Sequence, residues 1–342
     1  MCRCHETKKC SEKRRKCAKK CCPKGADLAS LPVTYHTVTV DRTYPPRLND
    51  TLDLNVVQVS SNTGGKDVLL VHGYPHAWPI YKNTLASFLA SKHNLYAMDV
   101  RGFGQSGVAN PDPAPGPGDL VWNADRLARD FRDVIVKLGL TKPIIVAHSL
   151  SGTQIADFLR VFGDNGAGGV GGDGTTIEAD PAAAIGGIVL VGTFPVVNPI
   201  YFSAATQAIL GSGGLFTQEF TKLLPTVQAF AEISDFCKLR RTEYGELLQY
   251  DMSNTVGSRA GALSIPPPAD QNVPVWNSVT VKSLIVYGRE DEVITSNSVP
   301  AFQSILTNSV VTTSIIPCCG HIPQYDKPDR FNTDLSVFLN SL

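Results

Sequence analysis

A mostly parallel α/β sheet flanked by helices is the architecture expected of this chain, on three grounds. Short continuous apolar runs recur at Val68-Leu69-Leu70-Val71, Ile144-Ile145-Val146-Ala147, Ile188-Val189-Leu190-Val191 and Leu284-Ile285-Val286-Tyr287, as in strands buried on both faces. Stretches of helical spacing alternate with them. The clearest is residues 121–138, where Ala124, Leu127, Ala128, Phe131, Val134, Ile135 and Leu138 share one face and Gly139 ends the pattern. Third, the run 143–147 passes through a serine set among small residues directly into another helical pattern.

The chain of 342 residues is long enough for one large domain with an insertion, and 43% hydrophobic with 18% charged residues is the balance of a globular enzyme. Formal charge is zero but unevenly spread: residues 1–24 hold ten Lys or Arg against Glu6 and Glu12, so a tail of about +8 precedes a body of about −8. Six of the nine cysteines also lie in this tail, at spacings that match no zinc module, with few apolar residues to fold around a metal. Residues 1–30 therefore read as a disordered basic tail. No aromatic residues interleave its charges, so no nucleic-acid partner is expected. No apolar run spans a membrane and no apolar core follows the basic start, which points to a cytoplasmic protein without a membrane span.

In order, residues 33–40 and 52–60 read as two opening antiparallel strands, and Val68 to Val71 as the next strand. That strand ends in His72-Gly73-Tyr74-Pro75, where the glycine lets the backbone turn and the Tyr74 N–H face the strand ends. His72 reads as a structural histidine that holds this loop. A helical segment near 79–91, a strand at 95–98 and the turn 99–106 follow, with Asp99 and Arg101 as scaffold. Residues 110–118 form a Pro/Gly loop. Residues 162–187, rich in Gly, Asp and Ala, read as a flexible surface insertion with nothing to form a core. From 196 to 276 strand and helix no longer alternate, and residues such as Tyr201, Phe202, Phe220 and Leu224 suggest a helical cap over the strand ends. The core thus comprises 31–195 and 277–342, closing with a strand at 310–316 and a helix at 328–341.

Residues 143–152 read Pro-Ile-Ile-Val-Ala-His-Ser-Leu-Ser-Gly. Strand, sharp turn and helix around Ser149 form the setting of a nucleophile elbow, with small residues at Ala147 and Ser151 and the Leu150 N–H at the helix start. Taken alone, the pattern fits equally well a serine that merely caps a helix. Further along, a strand ends at Gly288 and is followed by Asp291, and another runs into Gly320-His321-Ile322-Pro323.

Together these residues resemble the α/β-hydrolase fold superfamily, over nearly all of 33–342. Five stretches carry the resemblance in order: His72-Gly73-Tyr74-Pro75, the turn from Asp99 to Ser106, His148-Ser149-Leu150, Gly288 with Asp291, and Gly320-His321 with Pro323. The resemblance implies an α/β-hydrolase fold with a small helical cap, Ser149 as nucleophile, His321 as general base and then acid, and Asp291 as the group orienting the imidazole. Glu290 and Glu292 flank Asp291, and the third place after the strand-ending glycine favours Asp291. Tyr74 and Leu150 supply the oxyanion donors. No cofactor or metal is implied. Members that open epoxides or remove halogen carry Asp at the nucleophile position, so Ser149 points instead to the small-molecule esterases, lactonases and haloperoxidase-like enzymes. Expected is cleavage of a carboxylic ester, thioester or lactone of a small, mostly apolar compound. Ser151 departs from the usual Gly, and a similar arrangement occurs in hydrolase-fold plant hormone receptors. A slow or non-catalytic ligand receptor is therefore one alternative, and carbon–carbon cleavage or a lyase reaction by the same triad is another.

Overall fold

The computed structural model describes residues 26–40, 52–60, 64–74, 76–107, 124–171, 174–196, 198–204, 206–207 and 272–342. The tail up to residue 25, the loop at 110–118 and most of the expected cap, with Phe220 and Leu224, lie outside the described residues.

Among the described residues, eight strands form one sheet. They are β1 (Thr34–Val40), β2 (Leu52–Val59), β3 (Asp67–Val71), β4 (Asn94–Met98), β5 (Ile144–His148), β8 (Gly187–Val191), β9 (Ser283–Gly288) and β10 (Val311–Ile316); β6 (Gly169–Val170) and β7 (Thr176–Ile177) make a separate small hairpin. The spatial order is β1-β2-β4-β3-β5-β8-β9-β10. The first two strands pair antiparallel, β2 pairs antiparallel with β4, and every later neighbour is parallel. This is the mixed but mostly parallel sheet that the apolar runs predict. Each of β5, β8 and β9 is buried at every position, because helices cover both faces.

One face is covered by α2 (Ala124–Lys137), α3 (Ser151–Phe162), α4 (Asn272–Ser278) and α5 (Ser298–Ile305), whose Phe131, Phe158, Trp276 and Phe302 pack with Leu69, Ile145 and Ile285. Trp276 also donates from Nε1 to the carbonyl of Pro195 at 2.9 Å, fixing to the core a helix that spans the expected cap–core boundary at 276–277. The opposite face is covered by residues 78–91, by α6 (Pro323–Asp326) and by α7 (Pro328–Ser341), through Trp78, Tyr81, Leu85, Phe331 and Leu335. No helix among the described residues is long and apolar enough to cross a membrane.

Two expectations need correction. Residues 79–91 are not one helix: a 3-10 turn (Trp78–Tyr81), the short α1 (Lys82–Leu85) and a second 3-10 turn (Phe88–Ser91) follow one another. The break falls at Ser87, which is extended at ψ 172°, and whose hydroxyl accepts from the Leu89 N–H and so starts a new turn. Residues 162–187 are not a core-free insertion either. Ala183 and Ile185 enter the core, and buried Asp164 accepts from the N–H and hydroxyl of Thr280 and from the N–H of Val281. The glycines serve close packing here: a Cβ on Gly169 would lie 1.9 Å from the carbonyl oxygen of Arg160.

Candidate active site

The chemistry-bearing residues gather at the carboxyl ends of five adjacent parallel strands, where open α/β sheets place their sites. Ser149 follows β5, His72 follows β3, Thr193 lies just past β8, Asp291 past β9 and His321 past β10.

Ser149 has φ +54°, a left-handed conformation that costs a non-glycine residue about 1 kcal/mol or more. It is held there by its surroundings. Its N–H donates to Val191 O at 2.9 Å, and its own carbonyl accepts from Gly152 N at 3.0 Å and from the Thr193 hydroxyl at 2.6 Å. The left-handed turn aims Oγ away from the sheet, and 2.9 Å separates it from His321 Nε2. His321 Nδ1 lies 2.9 Å from Asp291 Oδ2, and both side chains are almost fully buried. The other carboxylate oxygen of Asp291 accepts from the N–H groups of Val293 and Ile294 at 2.8 and 2.9 Å. A carboxylate so fixed makes Nδ1 the protonated nitrogen and leaves Nε2 as acceptor for the serine proton. The three residues expected to act together are therefore in one continuous hydrogen-bonded line.

The neighbouring carboxylates do other things. Glu290 accepts from Cys319 N at 3.1 Å while its own N–H donates to Cys319 O at 3.0 Å, tying the β9 loop to the loop that carries His321. Asp326 accepts from Gly320 N at 2.8 Å and braces the same loop.

Leu150 is the N-cap of α3, where the first N–H groups have no intrahelical acceptor. The loop carrying Tyr74 sits directly on the elbow. A Cβ on Gly73 would lie 2.5 Å from Ser149 Cβ and 2.7 Å from His148 O, so only glycine permits this approach. His72 holds the loop with both ring nitrogens, Nδ1 donating to Gly73 O at 2.9 Å and Nε2 accepting from Val100 N at 3.0 Å. In the turn after β4, Asp99 accepts from Trp78 N, Gln105 N and Asn55 Nδ2, and Arg101 forms a buried two-pronged pair with Asp130.

Sequence reasoning missed two supports. Thr193 carries no motif, and only its place at a strand's carboxyl end could have marked it. His148 belongs to the elbow stretch, and its Nε2 also donates to His321 O at 3.0 Å, with its ring 4.9 Å from that of His321. Burial lowers the pKa of His72 to about 4, and holds those of His76 and His148 well below the ordinary value. Burial likewise raises Asp99 to about 6 against its three donors. Between pH 6.5 and 4 the unfolded chain protonates His72 while the folded one does not, so stability falls on acidification. Over nearly the same range folded Asp99 gains a proton first, which adds stability and offsets His72. His76 and His148 have no such offset. Stability measured by urea unfolding is therefore expected to fall as the pH is lowered from 6.5 to 5. A flat or rising profile over that range would contradict this assignment of buried neutral imidazoles.

Residues 68–334 match the model of the alpha/beta hydrolase family. The chain belongs to this family. It is 30% identical over 296 residues to epoxide hydrolase 4 of Mus musculus, covering 82% of this chain and 75% of that protein. It is 25% identical over 280 residues to epoxide hydrolase 3 of Xenopus tropicalis, covering 80% and 71%. Among solved structures, an esterase from Rhodococcus sp. ECU1013 superposes with a TM-score of 0.69 at 19% identity, over 91% of this chain and 99% of that one. The protein is thus an alpha/beta hydrolase, a hydrolytic enzyme by family, with a serine at its elbow.

Proposed function

We propose that this hydrolase cleaves a carboxylic ester, thioester or lactone of a small, largely apolar compound through an acyl-enzyme on Ser149. The observation that carries the reading is the line from Ser149 Oγ to His321 Nε2 and from His321 Nδ1 to Asp291, each link 2.9 Å, with serine as its first member. His321 takes the serine proton as Oγ attacks the substrate carbonyl. The tetrahedral oxyanion lies between the N–H groups of Tyr74 and Leu150. His321 then returns the proton to the leaving alcohol or thiol. Water, deprotonated by the same imidazole, attacks the acyl-enzyme and releases the acid.

The two relatives named as epoxide hydrolases raise a second chemistry. An epoxide opened by Ser149 Oγ would leave an alkyl ether on the enzyme, with no carbonyl carbon for water to attack. The serine would be consumed once and not returned. Acyl transfer regenerates it. Incubation with p-nitrophenyl butyrate is expected to give many turnovers per enzyme, and styrene oxide no diol. Continuous diol release would overturn the reading in favour of epoxide opening. Ester binding without turnover would favour a ligand receptor.

A further inference from the structure

Ser151 is wholly buried at the first position of α3, two residues beyond Ser149. Its hydroxyl donates to the main-chain oxygen of His72, the residue directly after β3. The two proposed oxyanion donors belong to these same two elements: Leu150 opens α3, and Tyr74 sits in the loop that His72 begins. The His72 ring fixes the rest of that loop through Gly73 O and Val100 N, and Gly73 packs on Ser149. The Ser151 hydroxyl therefore ties the helix carrying one donor to the loop carrying the other, across a gap in sequence that no peptide bond spans.

We infer that Ser151 is a positioning residue for the oxyanion site, its hydrogen bond to His72 O setting the separation of the Tyr74 and Leu150 N–H groups. The inference rests on the acyl-transfer reading above. Donors of this kind act when they lie about 2.7–3.1 Å from the developing oxyanion, so a small shift of loop against helix weakens the transition state more than the ground state. Without the hydroxyl, His72 O loses a buried donor, and the loop loses its direct tie to α3 while its other bonds remain.

The test compares Ser151→Ala, Ser151→Gly and Ser151→Thr with the unaltered chain, using p-nitrophenyl butyrate as substrate and phenylboronic acid as a probe that forms a tetrahedral adduct. Ser151→Ala and Ser151→Gly are expected to lower kcat about tenfold, below the roughly 10²–10³ lost when an oxyanion donor is removed outright. KM stays within about twofold, because ground-state binding does not use the tie. Boronate affinity falls by the same factor as kcat, and Ser151→Thr, which keeps a hydroxyl, restores both. Melting curves identify variants that fold, and Ser151→Gly carries the test if Ser151→Ala does not. Unaltered kcat and boronate affinity in a folded variant overturn the inference, as does a loss confined to KM. Absence of both turnover and fluorophosphonate labelling in the unaltered chain overturns the acyl-transfer reading, and this inference with it.

Discussion

Ser149→Ala is expected to lower kcat/KM for p-nitrophenyl butyrate by roughly 10³–10⁶-fold while leaving the melting temperature nearly unchanged or slightly raised. The size follows from what the side chain does in the proposed mechanism. Without Oγ there is no acyl-enzyme, and only binding and the backbone donors remain to assist direct attack by water. The stability expectation follows from the strain. Ser149 keeps φ +54° because Val191, Gly152 and Thr193 hold its backbone, and none of these contacts uses Oγ. Alanine accepts the same backbone without losing them. A Ser149→Ala variant that retained more than about a tenth of the activity would remove Ser149 as nucleophile.

Asp291→Asn is expected to cost about 10⁴-fold in kcat with the fold intact. The reason is the tautomer. Asp291 Oδ1 accepts two backbone N–H bonds, from Val293 and Ile294, so an asparagine keeps its oxygen there and turns its amide towards His321. A donor facing Nδ1 forces that nitrogen to accept, moves the ring proton to Nε2 and leaves nothing to take the proton of Ser149. Glu290→Gln serves as the control. Its oxygen can still accept from Cys319 N, so activity is expected to stay within about tenfold of the parent. The reverse pattern, with Glu290→Gln inactive and Asp291→Asn harmless, would make Glu290 the orienting acid.

Much of this arrangement was legible in the sequence because parallel strands buried on both faces leave continuous apolar runs. Their ends are then marked by turn residues, and Ser149, Asp291 and His321 each fall just past such an end. The oxygen–nitrogen line among them is what the resemblance to the α/β-hydrolase superfamily implied once the five stretches fell in order. What could not be read is whatever depends on contacts distant in sequence. Glycines at 163–174 looked like flexibility, but Gly169 is there because the Arg160 carbonyl leaves no room for a side chain. Residues 79–91 carried helical spacing, and a local side-chain bond at Ser87 broke it. Thr193 reaches Ser149 O from 44 residues away in sequence, and His148 reaches His321 O from 173 away. A lone threonine or histidine carries no signal of such a partner. Glu290 and Asp291 are adjacent in the chain; position after Gly288 already favours Asp291, and what the sequence does not show is that Glu290 turns instead to Cys319 N.

In the proposed mechanism the side chain at the elbow separates acyl transfer from the epoxide opening that the relatives' names raise. Trapping the intermediate tests that most directly. The unaltered chain would be mixed with excess p-nitrophenyl butyrate, quenched in acid within the first turnovers, digested and analysed by mass spectrometry. The account predicts a butyryl adduct on the peptide containing Ser149, located to Ser149 by fragmentation, and none in Ser149→Ala. A butyryl group on Ser151 or another residue, or steady turnover with no adduct under conditions that trap acyl-enzymes, would contradict it.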